Sequence, residues 1–416
     1  MAHLLIIDFP GGNDCDIAIA ALERGDTFVF LTSDLGLYQT QPAVETVLAE
    51  ATKCLDLPSF DMEVVLRSVL RCHTSKPFDA VLCLLDIRII AAAHIAHRLG
   101  VRHLSPAQAV LMRDKYSVRC RLQECGIAQP DFALAQSNEA LQSAVQQLGL
   151  PVLIKPSDGY ASQNIAVLRH PEDLDPILSP LQDMLPSHTD YGLGVAANDR
   201  LLVERYMEGT VVGCDTLSYS GRHTLLGIHE KLFFEPPSFA IRGSCFTDAH
   251  PQWNAIETYV QALLNAVGFL NGATHIELVL TAHGPRLIEI NPRLVGAKIA
   301  RLVNFALNRS IHQELIAIHA GQYVAPPKIA IEPVFAVTRW LVADRPGVLE
   351  SIELGDSSDP RIRCTEVMKR PGDSLRPPLE NADRIAYVMV CALTRREAQD
   401  VAERYISSCR VHMRSQ

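Results

Sequence analysis

Short apolar runs alternate with segments of helical period through the first part of the chain. Residues 4–9 read as a buried strand, 14–24 as a helix, and 27–32 as a second strand. Helical spacing covers 43–55 and 62–73, another apolar strand covers 80–85, and a helix over 87–99 closes at Gly100. Strands alternating with helices predict a parallel sheet covered on both faces. Ligands approach such sheets at the carboxyl ends of the strands. The turn Pro10-Gly11-Gly12-Asn13 follows the first strand and Asp86 a later one, which places both loops at a pocket. The glycines do not form G-x-G-x-x-G, and an ordinary strand-to-helix turn is the competing reading.

From Ser105 the rhythm changes. Helices are predicted over 107–111 and 114–125, a strand over 130–135, a helix over 138–148, and strands over 151–155 and 165–168. Residues 178–198 read as a loosely ordered connection rich in Gly, Pro and polar residues. Strands follow over 200–206, 211–218 and 224–231, then a loop over 233–244 and a helix over 252–267. Helices over 300–306 and 310–320 lead to a linker at Pro326-Pro327. Beyond it, strands near 334–342, 347–352 and 385–393 precede a terminal amphipathic helix over 395–408.

Composition narrows the class. The 416 residues are 48% hydrophobic and 20% charged, enough for large packed cores. A net charge of −9 argues against a general binder of nucleic acid or of membrane surfaces. No apolar run reaches the ~20 residues of a membrane span; the best stretch, 81–99, is interrupted by Asp86 and Arg88. The N-terminus has no basic region with a cleavage site, so a cytoplasmic protein is expected. Eleven cysteines without a C-x-x-C read as reduced thiols serving as small hydrophobes. His94 and His97 share a helix face, but no second ligand pair accompanies them, and a zinc site is not expected.

The chemistry concentrates near position 280. Residues 274–279 and 286–293 are two apolar runs joined by His283-Gly284-Pro285, and each run carries an acid. Alternation puts Glu289 and Asn291 on one face. Folded as a hairpin, the runs bring Glu277, Glu289 and Asn291 together as hard oxygen donors. Mg²⁺ takes such donors, usually one or two carboxylates plus nucleotide phosphates. Arg293 follows, where a planar cation reaches a transferring phosphoryl group. A hairpin with two solvated glutamates is the plain alternative. Lys115 opens a helix, and Lys155 closes the run 151–155 beside the polar turn 156–163. Either lysine alone also reads as a surface residue. The backbone N–H groups of the turn suit phosphates, although G-x-x-x-x-G-K-[ST] is absent. Residues 201–209 read as a strand entering a connector that would sandwich a nucleotide base, although an apolar strand followed by Glu-Gly is also a common plain feature. Arg205, Tyr206 and Met207 would read its edge through the backbone, and Glu204 would accept from its amino group.

Together and in order, these pieces resemble the ATP-grasp superfamily. The matching residues are Arg113-Asp114-Lys115, 151–156 with its polar loop, Leu202 through Gly209, and Ile276-Glu277 through Glu289-Ile290-Asn291-Pro292-Arg293. The resemblance covers about residues 105–325. Within the superfamily the chain is most similar to the L-amino acid ligases. That likeness rests on Lys155 through Ser162, His229-Glu230-Lys231, and Asn291-Pro292-Arg293 running into Gly296-Ala297. A Gly-Ala pair there departs from the more usual Gly-Gly and narrows or re-aims the acceptor pocket.

The resemblance implies an ATP-grasp fold with an N-terminal Rossmann-like α/β domain and a small C-terminal α+β domain. The expected divisions are 1–104, 105–199, 200–325 and 326–416. It implies ATP and Mg²⁺, with Mn²⁺ able to substitute, and two L-amino acids joined through an aminoacyl phosphate. Lys115, Lys155, Ser157, Gly159 and Ser162 would meet the phosphates, and Glu204, Arg205, Tyr206 and Met207 the adenine. Val211 stands where many relatives carry a ribose-binding acid, so the ribose contact would come from elsewhere, with Asp215 the candidate, or be weak. Glu277, Glu289 and Asn291 would hold metal. Arg293, Lys231 and His229 would serve catalysis. Arg242 would clamp the acceptor's carboxylate, and Leu85, Leu294 and Gly296 would line the substrate pocket. Amino-terminal domains of this kind often pair, which points to a homodimer. An ATP-grasp ligase acting on another carboxylate and an inactive nucleotide-binding regulator are the competing readings.

Overall fold

The computed structural model describes residues 1–40, 42–159, 165–173, 193, 200–235, 238, 240–325 and 334–415. Most of the expected connection over 178–198, the linker at 326–327, and residues 160–164 of the polar turn, Ser162 among them, lie outside the described residues.

Strands β1 (His3–Ile7), β2 (Thr27–Thr32), β3 (Lys53–Asp56) and β4 (Ala80–Cys83) form a parallel sheet in the order β3-β2-β1-β4. Every residue of β1 is buried, as befits a strand covered on both faces. Alternation sends Leu5, Ile7, Val29 and Val81 into one apolar layer and Leu4, Ile6, Phe30 and Leu82 into another. β3 corrects the expectation of a single helix over 43–55. The helix Pro42–Ala49 ends, and Lys53–Asp56 pairs with β2 as an edge strand. Only Leu55 of its four residues is buried, which leaves almost no period to read. At the carboxyl edge, Arg88 donates to Asp8 at 2.9 Å and to Ser33 at 2.7 Å. The Tyr38 hydroxyl donates to the other Asp8 oxygen at 2.9 Å, so the loops after β1, β2 and β4 are tied together.

A small antiparallel sheet follows. It contains β5 (Phe132–Ala135), β6 (Val152–Pro156), β7 (Ala166–Leu168) and β8 (Leu201–Arg205), ordered β5-β8-β6-β7. The helix Asn138–Leu148 covers one face with Leu141, Ala144 and Leu148. Ser137 caps that helix by accepting from the Ala140 N–H, and Gly149 ends it at φ 72°.

The next strands are β9 (Thr210–Tyr219), β10 (Arg222–Phe233), β11 (Ile241–Thr247), β12 (Gly272–Thr281) and β13 (Gly284–Asn291). The C-terminal segment adds β14 (Phe335–Leu341), β15 (Gly347–Glu353), β16 (Ile362–Val367), β17 (Ser374–Leu375), β18 (Ala386–Ala392) and β19 (Arg410–Arg414). One large antiparallel sheet runs β13-β12-β9-β10-β11-β14-β18-β16. The C-terminal segment therefore continues the sheet that carries the acidic hairpin, and it also builds the smaller sheet β17-β15-β19. Two expectations change here. The loop expected over 233–244 already enters β11 at Ile241, which pairs with both β10 and β14. The helix Arg395–Ser408 is not terminal, because β19 follows it and pairs with β15. Among the described residues no helix is long and apolar enough to cross a membrane.

The helix Ile311–His319 packs between the parallel sheet and the large sheet, and it buries His312 and His319. Burial pushes both imidazoles down to about 4. An unfolded histidine titrates near 6.5. Between those values the unfolded chain binds protons that the folded chain refuses. Stability should therefore fall as pH drops from 6.5 toward 4, by up to about 1.4 kcal/mol per pH unit per histidine. The thermal midpoint, followed by circular dichroism, should decline over this range and decline less in His319→Gln. Equal slopes would exclude His319 as a source of the acid sensitivity.

Candidate active site

The hairpin β12–β13 is in register His275↔Asn291, Ile276↔Ile290 and Glu277↔Glu289. Ile276 and Ile290 turn into the core, so alternation puts Glu277, Glu289 and Asn291 on the opposite face. The register shifts just after Glu277, leaving Ile288 as an extra residue of a bulge. The Asn291 amide donates to Glu289 Oε1 at 3.0 Å, which leaves its carbonyl oxygen as a further donor to a cation. Each acid carries its own lysine: Lys115 Nζ lies 3.1 Å from Glu289, and Lys231 Nζ lies 2.5 Å from Glu277. Burial alone would raise both carboxyls. Lys231 with His275 holds Glu277 below the usual carboxylate range, and Lys115 does the same for Glu289. Their side chains remain 23% and 20% exposed, so both acids are reachable from solvent.

Around this face the structure brings a set of cations together. Lys155, at 4% exposure, is paired with Glu204 at 2.7 Å and donates to the Ile288 carbonyl at 3.3 Å. Burial lowers the Lys155 pKa despite that partner. Arg119 takes the other Glu204 oxygen at 2.5 Å and donates to the Leu287 and Ile288 carbonyls. Lys115 holds the phosphate-loop candidate twice, through its N–H to the Ser157 carbonyl at 2.8 Å and through Nζ to the Gly159 carbonyl. The Ser157 hydroxyl donates to Asp114, and Arg113 donates to the Asp158 carbonyl at 2.8 Å. Arg293 reaches across to the loop after β4, binding one oxygen of Asp86 through Nε at 2.9 Å and Nη2 at 2.5 Å. A Cβ at Gly296 would stand 3.8 Å from the Arg293 guanidinium, in ordinary contact.

Several expected contacts differ. Glu204 is 3% exposed, with one oxygen paired to Arg119 and the other to Lys155, so it faces those cations rather than an adenine amino group. The N–H groups of Arg205 and Tyr206 bond to the Asp131 and Pro151 carbonyls. That leaves Met207 as the first residue of the segment whose N–H lacks such a bond among the described residues. The Arg205 side chain pairs with Asp131, and Arg169 lies over the Tyr206 ring. Asp215 is 2% exposed and cannot reach a ribose. It lies four residues beyond Val211, about 13 Å along the strand. Its carboxylate accepts from His229 Nε2 at 2.5 Å and His275 Nδ1 at 2.8 Å. Those two rings outweigh burial and hold Asp215 well below the usual range. His229 is itself 2% exposed and faces Asp215 rather than an open pocket. Arg242 is paired with Glu403 at 3.2 Å, so it is not an unengaged clamp. Leu294 is buried and Leu85 packs against the core.

Arg119 and His275 were absent from the sequence-based site. Both had a readable signal. Arg119 lies four residues after Lys115 on one helix face, and His275 shares a strand face with Glu277.

Chemically, two carboxylates and an amide oxygen ringed by Lys115, Lys155, Lys231 and Arg293 suit a divalent cation with a polyanion. Among the described residues no three His, Cys, Asp or Glu side chains group into a metal cage. A hard cation here needs oxygens from elsewhere, and phosphates supply them. A cation alone also competes with two ammonium groups. Mn²⁺ should therefore bind weakly by itself and more tightly with ADP, by electron paramagnetic resonance of the free ion. Lys231→Met should tighten Mn²⁺ binding in the absence of nucleotide, and an unchanged affinity would exclude Lys231 as a competitor.

Two family models and several known proteins match the chain. The ATP-grasp domain family matches residues 148–301, and the family "L-amino acid ligase C-terminal domain 2" matches 339–414. An uncharacterized protein of Sinorhizobium fredii is 25% identical over 390 residues, covering 91% of this chain and 76% of that protein. The L-arginine-specific L-amino acid ligase of Bacillus subtilis is 22% identical over 279 residues, covering 66% of this chain and 65% of that enzyme. The crystal structure of an L-amino acid ligase from Bacillus licheniformis superposes with a TM-score of 0.81 at 18% identity. That match covers 100% of this chain and 99% of the other, a likeness of fold. The chain therefore has an ATP-grasp fold, and its residues 339–414 match the C-terminal domain of the L-amino acid ligases.

Proposed function

We propose that the chain is an ATP-dependent carboxylate–amine ligase that joins two L-amino acids into a dipeptide. One observation carries the reading. The hairpin face bearing Glu277, Glu289 and Asn291 is ringed by lysines and Arg293, in a chain that ends in an L-amino acid ligase type of segment. Glu277, Glu289 and Asn291 are the residues that would hold Mg²⁺, which when bound neutralises charge on the phosphates.

In the first step a carboxylate oxygen of one amino acid attacks the γ-phosphorus of ATP. An O–P bond forms, the bond to the β-phosphate oxygen breaks, and ADP leaves. Lys115 and Lys155 offset phosphate charge, and Lys231 exchanges its carboxylate partner for the transferring group. Arg293 is held in place by Asp86 and stabilises charge on the moving phosphoryl group. In the second step the amine of the other amino acid attacks the acyl carbon. The tetrahedral intermediate collapses, phosphate leaves, and the new amide nitrogen gives up a proton. Positioning and charge neutralisation supply most of such catalysis.

Incubated with ATP, Mg²⁺ and a matrix of L-amino acid pairs, the chain should release phosphate in step with products of dipeptide mass. Phosphate release without a condensed product in every pair would overturn the reading. Glu289→Ala should fold and lose turnover, and near-native turnover would remove the metal assignment. Arg293→Met should lose about 3 kcal/mol of transition-state stabilisation, roughly 10²-fold in kcat.

A further inference from the structure

We infer that Asp215, acting through His275, is a positioning residue for the Glu277 carboxylate. The inference rests on the metal reading proposed above and adds the residues that aim one ligand.

Asp215 on β9 and His275 on β12 are direct cross-strand partners, and His229 comes from β10 on the other side of β9. The two Asp215 oxygens are divided. Oδ1 accepts from His275 Nδ1 at 2.8 Å, and Oδ2 accepts from His229 Nε2 at 2.5 Å. The second nitrogen of His275, Nε2, stands 3.5 Å from Glu277 Oε1. That oxygen also carries Lys231. Both contacts fall on Oε1, so Oε2 is the oxygen left for a cation.

The His275 ring has one place to lie. Gly213 is the β9 partner of Glu277, and a Cβ there would stand 2.6 Å from His275 Cε1. The glycine is therefore a slot for the ring, and any side chain would displace it. The string is also expensive for the fold. Asp215 is 2% exposed and, among the described residues, has no lysine or arginine within ion-pair reach. Well-packed apolar residues commonly serve a core as well as or better than buried charges do. A buried carboxylate that ends on a ligand carboxylate has a use that packing alone does not give. Side chains that contact a metal ligand from behind fix its orientation, and their loss typically costs roughly 10–100-fold in affinity or activity.

The test is Mn²⁺ binding to the full chain in the presence of ADP, by electron paramagnetic resonance, with a thermal midpoint for each variant. Asp215→Asn and His275→Leu should weaken Mn²⁺ binding by roughly 10–100-fold. His275→Gln keeps an N–H donor near Glu277 and should lose less. In turnover, the Mg²⁺ concentration needed for half-maximal rate should rise more than kcat at saturating Mg²⁺ falls. A merely structural role would lower the midpoint without this split. Wild-type Mn²⁺ affinity in Asp215→Asn and His275→Leu would remove the inference and leave the metal site standing. Should Asp215→Asn fail to fold, equal affinities in His275→Gln and His275→Leu would overturn it. A wild-type chain that binds no Mn²⁺ with ADP would remove the metal site and the inference with it.

Discussion

Two carboxylates face each other across neighbouring strands, and the rest of the site is arranged around that repulsion. Like charges directly opposite in an antiparallel pair destabilise it. At 4 Å and an effective dielectric of 20, two unit charges interact by about 4 kcal/mol. Glu277 and Glu289 hold that position only because a cation reaches each from a different part of the chain. Lys231 arrives along β10, two strands away in the same sheet. Lys115 arrives from the helix Lys115–Glu124, which is itself bonded to the loop after β6. The charge balance thus joins the acidic hairpin to the phosphate-loop candidate.

A second balance sits behind the first. Glu204 lies between Arg119 and Lys155, and both cations also donate to the carbonyl of Ile288. Ile288 is the bulge residue of β13, so the bulge turns a backbone acceptor out of the ladder and toward the cations. Arg119 is among the largest fully buried side chains of the chain. Removing one member would strand a buried charge, which costs far more than a surface pair. This trio fastens the small sheet to the large one beside the proposed nucleotide site.

The sequence made one-dimensional features legible. Continuous apolar runs marked β1, β2 and β4, and alternation marked the hairpin with Glu277, Glu289 and Asn291 on one face. Short edge strands such as β3 and β19 were not legible, since four or five residues with few buried positions carry too little period. Partners across the sheets were not legible either. Alternation says that Asp215 and Glu204 point to a given face, but not what stands opposite. Glu204 meets Arg119 across 85 positions, and Arg293 meets Asp86 across 207. A strand read alone therefore made ligand contacts of Glu204 and Asp215, where the fold had already buried both and engaged each oxygen with its own residues.

Arg293 illustrates how distant parts of the chain meet at the proposed reacting centre. A guanidinium has five N–H donors. Three of its bonds are internal, two to one Asp86 oxygen and one to the Leu294 carbonyl. Two donors remain, in a plane fixed by the other three. Asp86 stands at the carboxyl edge of the parallel sheet, where such sheets receive ligands. Arg113 approaches its second oxygen at 3.6 Å, and that oxygen has no hydrogen-bond partner among the described residues. The N-terminal sheet thus holds the cation that the hairpin presents, and orientation is set before any substrate arrives. A lysine at 293 would keep the charge and lose the fork, so Asp86 could hold the ammonium but not orient it.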